Sequence, residues 1–329
     1  MPDTSGFYLS IYKKEKKKID NILKNALSNR EPVSLYKPGS YILNSEGKRL
    51  RPLLVLMASA AVGGKFRNAY HAAAAVEMLH NFTLVHDDIM DNAPMRRNKI
   101  TLHIKYDTNT ALLVGDSLLA VAYEYLLIDC DGNAKFILSA FTKGLVEVCE
   151  GQKMDMEFET KKNVNISEYL LMIKKKTAAM AEMCCKVGAA LGGGSNRHIR
   201  ALGNYGLNLG IAFQIQDDLL DITAEENEFG KKIGGDLMEG KKTFLFIRAL
   251  EESRGKERES LLKVTGKKGI RPNQVKKYKE LYKKLGVIQD AKDEIKYYTK
   301  KALNSLKIID EEPRRMLHWL AESLLKRTK

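Results

Sequence analysis

Proline sets the first limit on this fold. The chain has seven prolines, and none falls between Pro94 and Pro272. Inside a helix, proline removes a backbone donor and clashes with the preceding turn, so its absence leaves a long stretch permissive for helices. ALLVGDSLLAVAYEYLLI, FILSAFTKGLVEVCEGQKMDMEF and SEYLLMIKKKTAAMAEMCCKVGAAL carry apolar residues at threes and fours, the helical period. No alternating strand pattern competes. Residues 11–29 read as an amphipathic helix, with Ile19, Ile22, Leu23, Ala26 and Leu27 on one face and Lys13 to Lys18 on the other. Pro32 and Pro38-Gly39 are expected to break the chain into a loop. Pro52 suits the first position of the helix PLLVLMASAAV, and Tyr70 to Met90 reads as a helix ending near Pro94. After about residue 251 the chain becomes more basic, with a turn near Gly266–Pro272 and a closing helix through Trp319. The expectation is an all-α fold, one domain over residues 1–329, with an N-terminal helix about 11–29 and basic outer helices about 251–329.

Charge is concentrated at particular places. LVHDDIMDNAPMRRNK holds Asp87, Asp88 and Asp91 within five residues, followed by Arg96 and Arg97. On a helix Asp87 and Asp91 are i and i+4 and share a face. Carboxylates held so close repel one another, so a cation belongs between them. Mg²⁺ typically takes one or two carboxylates plus substrate phosphates, and arginine suits bidentate phosphate contact. The pattern returns in FQIQDDLLDITAEENEFGKKIGGDLMEGKKT. Here Asp217, Asp218 and Asp221 follow Gln214, and Lys231, Lys232, Asp236, Lys241 and Lys242 lie in a glycine-punctuated loop. Two such clusters can grip metal ions from opposite sides of one anionic group. In GKRLRP, Lys48, Arg49 and Arg51 stand just ahead of a helix N-terminus, which favours anions; an ordinary basic turn reads the same way. His80 lies two turns before Asp87 on the same face, as a core histidine or a ligand contact. Gly151-Gln152 with Asp155, and Lys176-Thr177, sit within helices whose plain surface they could equally be.

Composition narrows the classes further. The net charge of +14 favours anionic partners: phosphorylated substrates, nucleic acid or an anionic membrane surface. Nucleic acid rests on net charge alone and is not expected. The four cysteines, Cys130, Cys149, Cys184 and Cys185, have neither zinc spacing nor a disulfide framework, which fits a reducing cytoplasm. The N-terminus has no apolar signal segment. The longest uncharged runs, PLLVLMASAAVGG and ALGNYGLNLGIAFQIQ, fall short of a membrane span.

In their order and spacing, GKRLRP, LVHDDIMD followed by RR, GQ with Asp155, KT, FQIQDDLLD and GKKIGGDLMEGKKT resemble the trans-isoprenyl diphosphate synthases, or polyprenyl synthetases. The resemblance runs from about Gly47 to Thr243. It implies antiparallel helices around a deep central cavity (the isoprenoid synthase fold), a homodimer, and two acidic motifs facing each other across the cavity mouth. It implies Mg²⁺, three ions with bound diphosphate, held by Asp87 and Asp91 and by Asp217 with Asp221. Arg96, Lys176, Thr177, Gln214, Lys231 and Lys241 match the allylic diphosphate site. Lys48, Arg51, His80 and Arg97 match the isopentenyl diphosphate pocket. Asp87, Asp91, Asp217, Lys176 and Lys241 are the implied catalytic residues. Glu46 and Asn98 stand where many members have glycine.

The implied reaction is condensation of isopentenyl diphosphate with allylic diphosphates of C5 to C15. Phe82, five positions before Asp87, with small Thr83 beside it and no insertion in the motif, resembles the archaeal-type geranylgeranyl (C20) synthases. A farnesyl (C15) synthase is the alternative. Three other readings fit less well. A His-Asp phosphohydrolase needs further histidine ligands, a class I terpene cyclase gives Lys48 and Arg51 no role, and non-catalytic synthase subunits tend to lose acidic motifs.

Overall fold

The computed structural model describes residues 4–130, 132–224, 233–266 and 269–325. The fold is all-α, as expected, and the chain groups into two compact units. The first comprises residues 1–142, 183–203 and 308–316. It holds α1 (Thr4–Asn25), α2 (Val33–Leu43), α3 (Leu50–Ala60), α4 (Tyr70–Met90), α5 (Leu102–Lys105) and α6 (Thr108–Ile128). From Ala72 to Asn81 every residue of α4 is buried. The run is rich in alanine, which lets neighbouring backbones approach closely, and α6 and α3 pack against it. Ile19 and Leu23 of α1 are buried as the helical pattern requires, and Ile22 partly so; the helix starts at Thr4 and ends at Asn25 rather than running 11–29, so Ala26 and Leu27 are buried in the turn that follows it.

Two local expectations need correction. Pro38-Gly39 does not form a loop; Pro38 lies inside α2. Pro38, Gly39 and Leu43 are buried there, so packing outweighs the backbone donor that proline removes. Helix α3 starts at Leu50, two residues before Pro52, which puts Arg51 in its first turn. After Pro94 comes a two-residue antiparallel hairpin, Met95–Arg96 against Lys99–Ile100. Its turn residues Arg97 and Asn98 have φ of 50° and 60°. Two left-handed residues make a tight hairpin turn, and asparagine tolerates that region. Asn98 therefore does the work of the glycine it replaces.

Helix α6 is long and apolar enough to cross a membrane by length and composition, a test that core helices also pass. The uncharged runs singled out in the sequence did not include it, because Asp116 and Glu124 interrupt it.

The second unit comprises residues 143–182, 204–307 and 317–329. It contains most of α7 (Ala134–Thr160), α8 (Ile166–Ile173), most of α10 (Asn196–Thr223), α11 (Gly235–Glu239), α12 (Phe244–Glu252), α13 (Gly255–Gly266), α14 (Val275–Lys284) and α15 (Val287–Ser305). The helix α9 (Ala179–Leu191) is shared between the units, and α16 (Glu311–Leu325) begins in the first and ends in the second. Phe244, Leu245, Phe246 and Ile247 at the start of α12 are all buried, in one core with Tyr169, Leu219 and Tyr282. Burying a side chain of that size contributes about 1.5–3 kcal/mol. Between α8 and α9, Lys174–Ala178 form a π-helical turn, a feature often found at functional sites.

Candidate active site

In the first unit, α4 carries the first acidic run on its last turns. Asp87 is half-buried and Asp91, the residue that ends the helix, is exposed. Asp88 is turned about 100° from Asp87 around the helix. It is 3% exposed and accepts a 2.5 Å ion pair from Arg96 Nε. Burial raises its pKa, and the Arg96 charge offsets part of that rise. The middle aspartate is thus a tether that fixes the hairpin arginine, while Asp87 and Asp91 are left on a different side of the helix.

The basic turn before α3 divides into two roles. Arg49 has φ of 48° and is buried. It pairs with Glu77 Oε1 at 2.7 Å and Asp20 Oδ1 at 2.8 Å, and donates to the carbonyls of Leu43 and Ser45. It is an internal anchor, and the basic cluster available for anions is Lys48, Arg51 and Arg97. Lys48 is exposed, and its carbonyl accepts from Tyr12 Oη at 2.7 Å. Arg51 Nη1 lies 3.2 Å from His80 Nε2. Burial, and then the charges of Arg51, Arg97, Arg96 and Arg49, push the His80 pKa well below its ordinary value. The imidazole is therefore neutral, and Nε2 accepts from Arg51. The Arg97 pKa is lowered by its surroundings and by Arg49, Arg51 and Arg96, with Glu77 opposing. So dense a group of guanidinium ions around a neutral histidine is suited to a multiply charged anion.

One turn below Asp87, Phe82 is half-buried, and its ring meets the His86 ring edge-on at 4.6 Å. His86 Nδ1 donates to Phe82 O at 3.1 Å. Thr83 donates to the His80 carbonyl at 2.8 Å.

In the second unit, α10 ends with the second acidic run. Asp217 and Asp221 are half-buried, and Asp218 is 7% exposed. Asp218 accepts from Tyr169 Oη (2.6 Å), Gln214 Nε2 (3.1 Å) and Phe244 N (3.1 Å). Burial, with the charge of Asp236, pushes its pKa up to about 7 despite these donors. As in the first run, the middle acid is internal. Asp221 Oδ2 accepts from Asp236 N at 3.2 Å, and its carbonyl from Gly234 N at 2.7 Å, so it also secures the start of α11. Thr177 Oγ1 donates to Gln214 Oε1 at 2.9 Å. Lys176 Nζ meets Asp155 Oδ2 at 2.5 Å. That pair depends on a close helix approach: a Cβ at Gly151 of α7 would come within 2.6 Å of Lys176 Cα. Lys241 is paired with Glu239 at 2.7 Å and lies 3.9 Å from Asp236. Lys231 lies outside the described residues.

The sequence expectations thus gather into two groups, Lys48–Arg51–His80–Arg97 with Asp87 and Asp91, and Lys176–Thr177–Gln214 with Asp217 and Asp221. Sequence reasoning missed Tyr169, Glu77 and Tyr12. Tyr169 and Tyr12 reach the site from distant segments, and Glu77, on α4 itself, meets Arg49 from 28 positions away; no local motif marks any of them.

Among the described residues, no three histidine, cysteine or carboxylate side chains converge into a complete metal cage. Each aspartate pair instead offers hard carboxylate oxygens. That donor set fits Mg²⁺, which keeps waters and substrate phosphates in its shell.

Helix-borne aspartate pairs, guanidinium groups and lysines, on an all-α scaffold, define an enzyme that handles diphosphates. A family model for polyprenyl synthetase matches residues 32–285. The chain is 39% identical over 318 residues to a geranylgeranyl diphosphate synthase of Sulfolobus acidocaldarius, covering 94% of this chain and 96% of that one. It is 30% identical over 308 residues to a geranylfarnesyl diphosphate synthase of Aeropyrum pernix, covering 91% and 96%. Its structure is similar to the crystal structure of a geranylgeranyl pyrophosphate synthetase from Pyrococcus horikoshii, with a TM-score of 0.92, 36% identity and coverage of 99% and 100%. The chain belongs to the polyprenyl synthetase family and is a prenyltransferase of isoprenoid biosynthesis, a family that uses Mg²⁺.

Proposed function

We propose that this enzyme condenses isopentenyl diphosphate with allylic diphosphates of C5 to C15 and makes all-trans geranylgeranyl diphosphate (C20). The observation that carries the product length is Phe82, half-buried five residues before Asp87 and braced edge-on by His86. It would act as the floor that stops the growing chain. A C15 product would call for more bulk at this level, and Thr83 supplies none. The names of the Sulfolobus and Pyrococcus relatives support the same length.

Asp87 and Asp91, with Asp217 and Asp221, would hold Mg²⁺, three ions once diphosphate is bound. Bound there, the metal supplies positive charge against the diphosphate as the allylic C–O bond breaks. Arg96, Lys176, Thr177, Gln214 and Lys241, with Lys231, bind the same diphosphate and stabilise its developing charge. Lys176 exchanges Asp155 for phosphate oxygen to do so. Lys48, Arg51 and Arg97 bind isopentenyl diphosphate, and neutral His80 fixes the Arg51 guanidinium. Excluding water protects the allylic cation. Holding both substrates in reach can itself lower the barrier by about 7–11 kcal/mol. The proton lost in condensation leaves on the departing diphosphate, so no protein base is required.

Both units would work as one synthase domain, in the cytoplasm and without nucleic acid. A homodimer is supported by Leu112, Leu113, Leu127 and Ile128 of α6, which are large, apolar and exposed in the single chain. Incubation with Mg²⁺, labelled isopentenyl diphosphate and C5, C10 and C15 primers should give C20 alcohols after dephosphorylation. A main product of another length refutes the length assignment, and no elongation with any primer refutes the function.

A further inference from the structure

We propose that the second unit carries an effector site for a multivalent phosphate anion, in the open cavity beside α11. The first observation is where the charge lies. Residues 253–307 contain seventeen lysines and arginines against six acids, so eleven of the fourteen net positive charges sit in 55 residues that hold none of the motifs above. Within that segment a cavity of about 930 Å³ opens between α13 and α14. This lies within the range of small-molecule sites.

Lys256, Lys263, Arg271 and Lys277 line the cavity, over a floor that includes Met238 and Ile270. None of the four makes an ion pair among the described residues, and Glu259 is the one carboxylate among the described lining. Four cations lining one hollow favour an anion there. The walls are joined independently of any ligand. Tyr278 Oη of α14 donates to Ser260 O of α13 at 3.0 Å. The cations surround a hollow, which suits a compact anion that can enter it and not a flat bilayer surface.

The cavity is tied by backbone to the catalytic loop. Ile270 N donates to Leu237 O of α11 at 3.2 Å. Gly269 has φ of 111°, and a Cβ there would run into the Met238 carbonyl. The rim and α11 therefore touch main chain to main chain. The next link is Asp236 N, which donates to Asp221 Oδ2. An anion that draws Lys263, Arg271 and Lys277 together pulls on α11 through that rim. Such coupling is typically 5–150-fold in affinity. The effect on turnover rests on the prenyl transfer proposed above; binding does not.

The test is calorimetric titration of the full chain with inorganic tripolyphosphate in EDTA. One salt-sensitive equivalent should bind besides any held by the Arg51–Arg97 group, and it should persist in Arg51→Gln/Arg97→Gln and in Asp217→Ala. Binding should weaken at least tenfold in Lys263→Gln/Lys277→Gln, with circular dichroism and basal elongation unchanged. At fixed free Mg²⁺, tripolyphosphate should change the KM for the allylic primer at least fivefold more in wild type than in the double variant. The proposal is overturned by no binding, by equal binding in Lys263→Gln/Lys277→Gln, by loss of that equivalent in Arg51→Gln/Arg97→Gln or in Asp217→Ala, or by equal kinetic responses. Capture by anionic vesicles that needs Lys263 and Lys277, without tripolyphosphate binding, overturns it in favour of a membrane surface.

Discussion

Gly151→Ala isolates one contact on which the allylic site depends. By helix propensity alone, the change in the middle of α7 should stabilise the protein by about 0.5–1 kcal/mol. The structure predicts the opposite. The new Cβ would lie 2.6 Å from Lys176 Cα and 2.7 Å from the Lys175 carbonyl carbon, where ordinary contact begins near 3.4 Å. Both obstacles are backbone, so no rotamer change relieves them. The nearest obstacle, Lys176 N, would lie only 2.2 Å from that Cβ, so the π turn and α7 must part by up to about 1.2 Å to restore ordinary contact. Overpacking of this kind costs about 1–3 kcal/mol. The parting also breaks the Lys176–Asp155 pair and displaces Lys176 from the diphosphate site proposed above. A misplacement of about 1 Å can cost on the order of 100-fold in rate. Steady-state elongation with a C15 primer should therefore show kcat down at least tenfold, with urea unfolding shifted to lower denaturant. Gly132→Ala, with open space around it and strain only from its φ of 74°, serves as the control for activity, not for stability. A Gly151→Ala enzyme with normal kcat and raised stability would refute the close-approach argument.

Three further outcomes follow. Phe82→Ala should lengthen the products beyond C20, and an unchanged product distribution would remove Phe82 as the floor. Arg49→Met should destabilise by about 3–5 kcal/mol in urea melts, because Glu77, 2% exposed, would be left without its partner; Arg49→Met/Glu77→Leu should lose much less, and equal losses would contradict the buried-pair account. His80 stays neutral in the fold while the unfolded chain takes up a proton below about pH 6.5. Its contribution to stability is thus complete above that pH and declines as pH falls, so from pH 7.5 to 5.5 wild type should lose up to about 1.4 kcal/mol more than His80→Asn; parallel curves would show that His80 is not held neutral.

Much of the fold was legible where one signal had no rival. Tyr70 to Met90 is a helix at the residues expected, because it is rich in Ala, Leu and Val and proline-free until Pro94. Pro38 misled because local propensity is weak against burial of Pro38, Gly39 and Leu43. The acidic motifs were legible as pairs, since helical spacing alone puts Asp87 with Asp91 and Asp217 with Asp221. What spacing could not reveal is that Asp88 and Asp218 turn inward, each held by a distant or hairpin-borne donor. Arg49 was indistinguishable from Lys48 and Arg51 in sequence. Only its left-handed backbone and its burial against Glu77 and Asp20 separate an anchor from its anion-binding neighbours. The π turn that presents Lys176 and Thr177 leaves no compositional mark within an otherwise regular helical pattern.

The central proposal is that prenyl transfer needs both aspartate pairs, working together. Its most direct test is the single-turnover rate of C20 formation from a C15 primer in Mg²⁺. Wild type, Asp87→Ala, Asp217→Ala and the double variant should be compared, each with native circular dichroism. Each single variant should lose orders of magnitude, and the double variant should be little worse than the weaker single one, as for residues that work together. Near-normal turnover in either single variant, or losses that simply multiply in the double, would contradict the account.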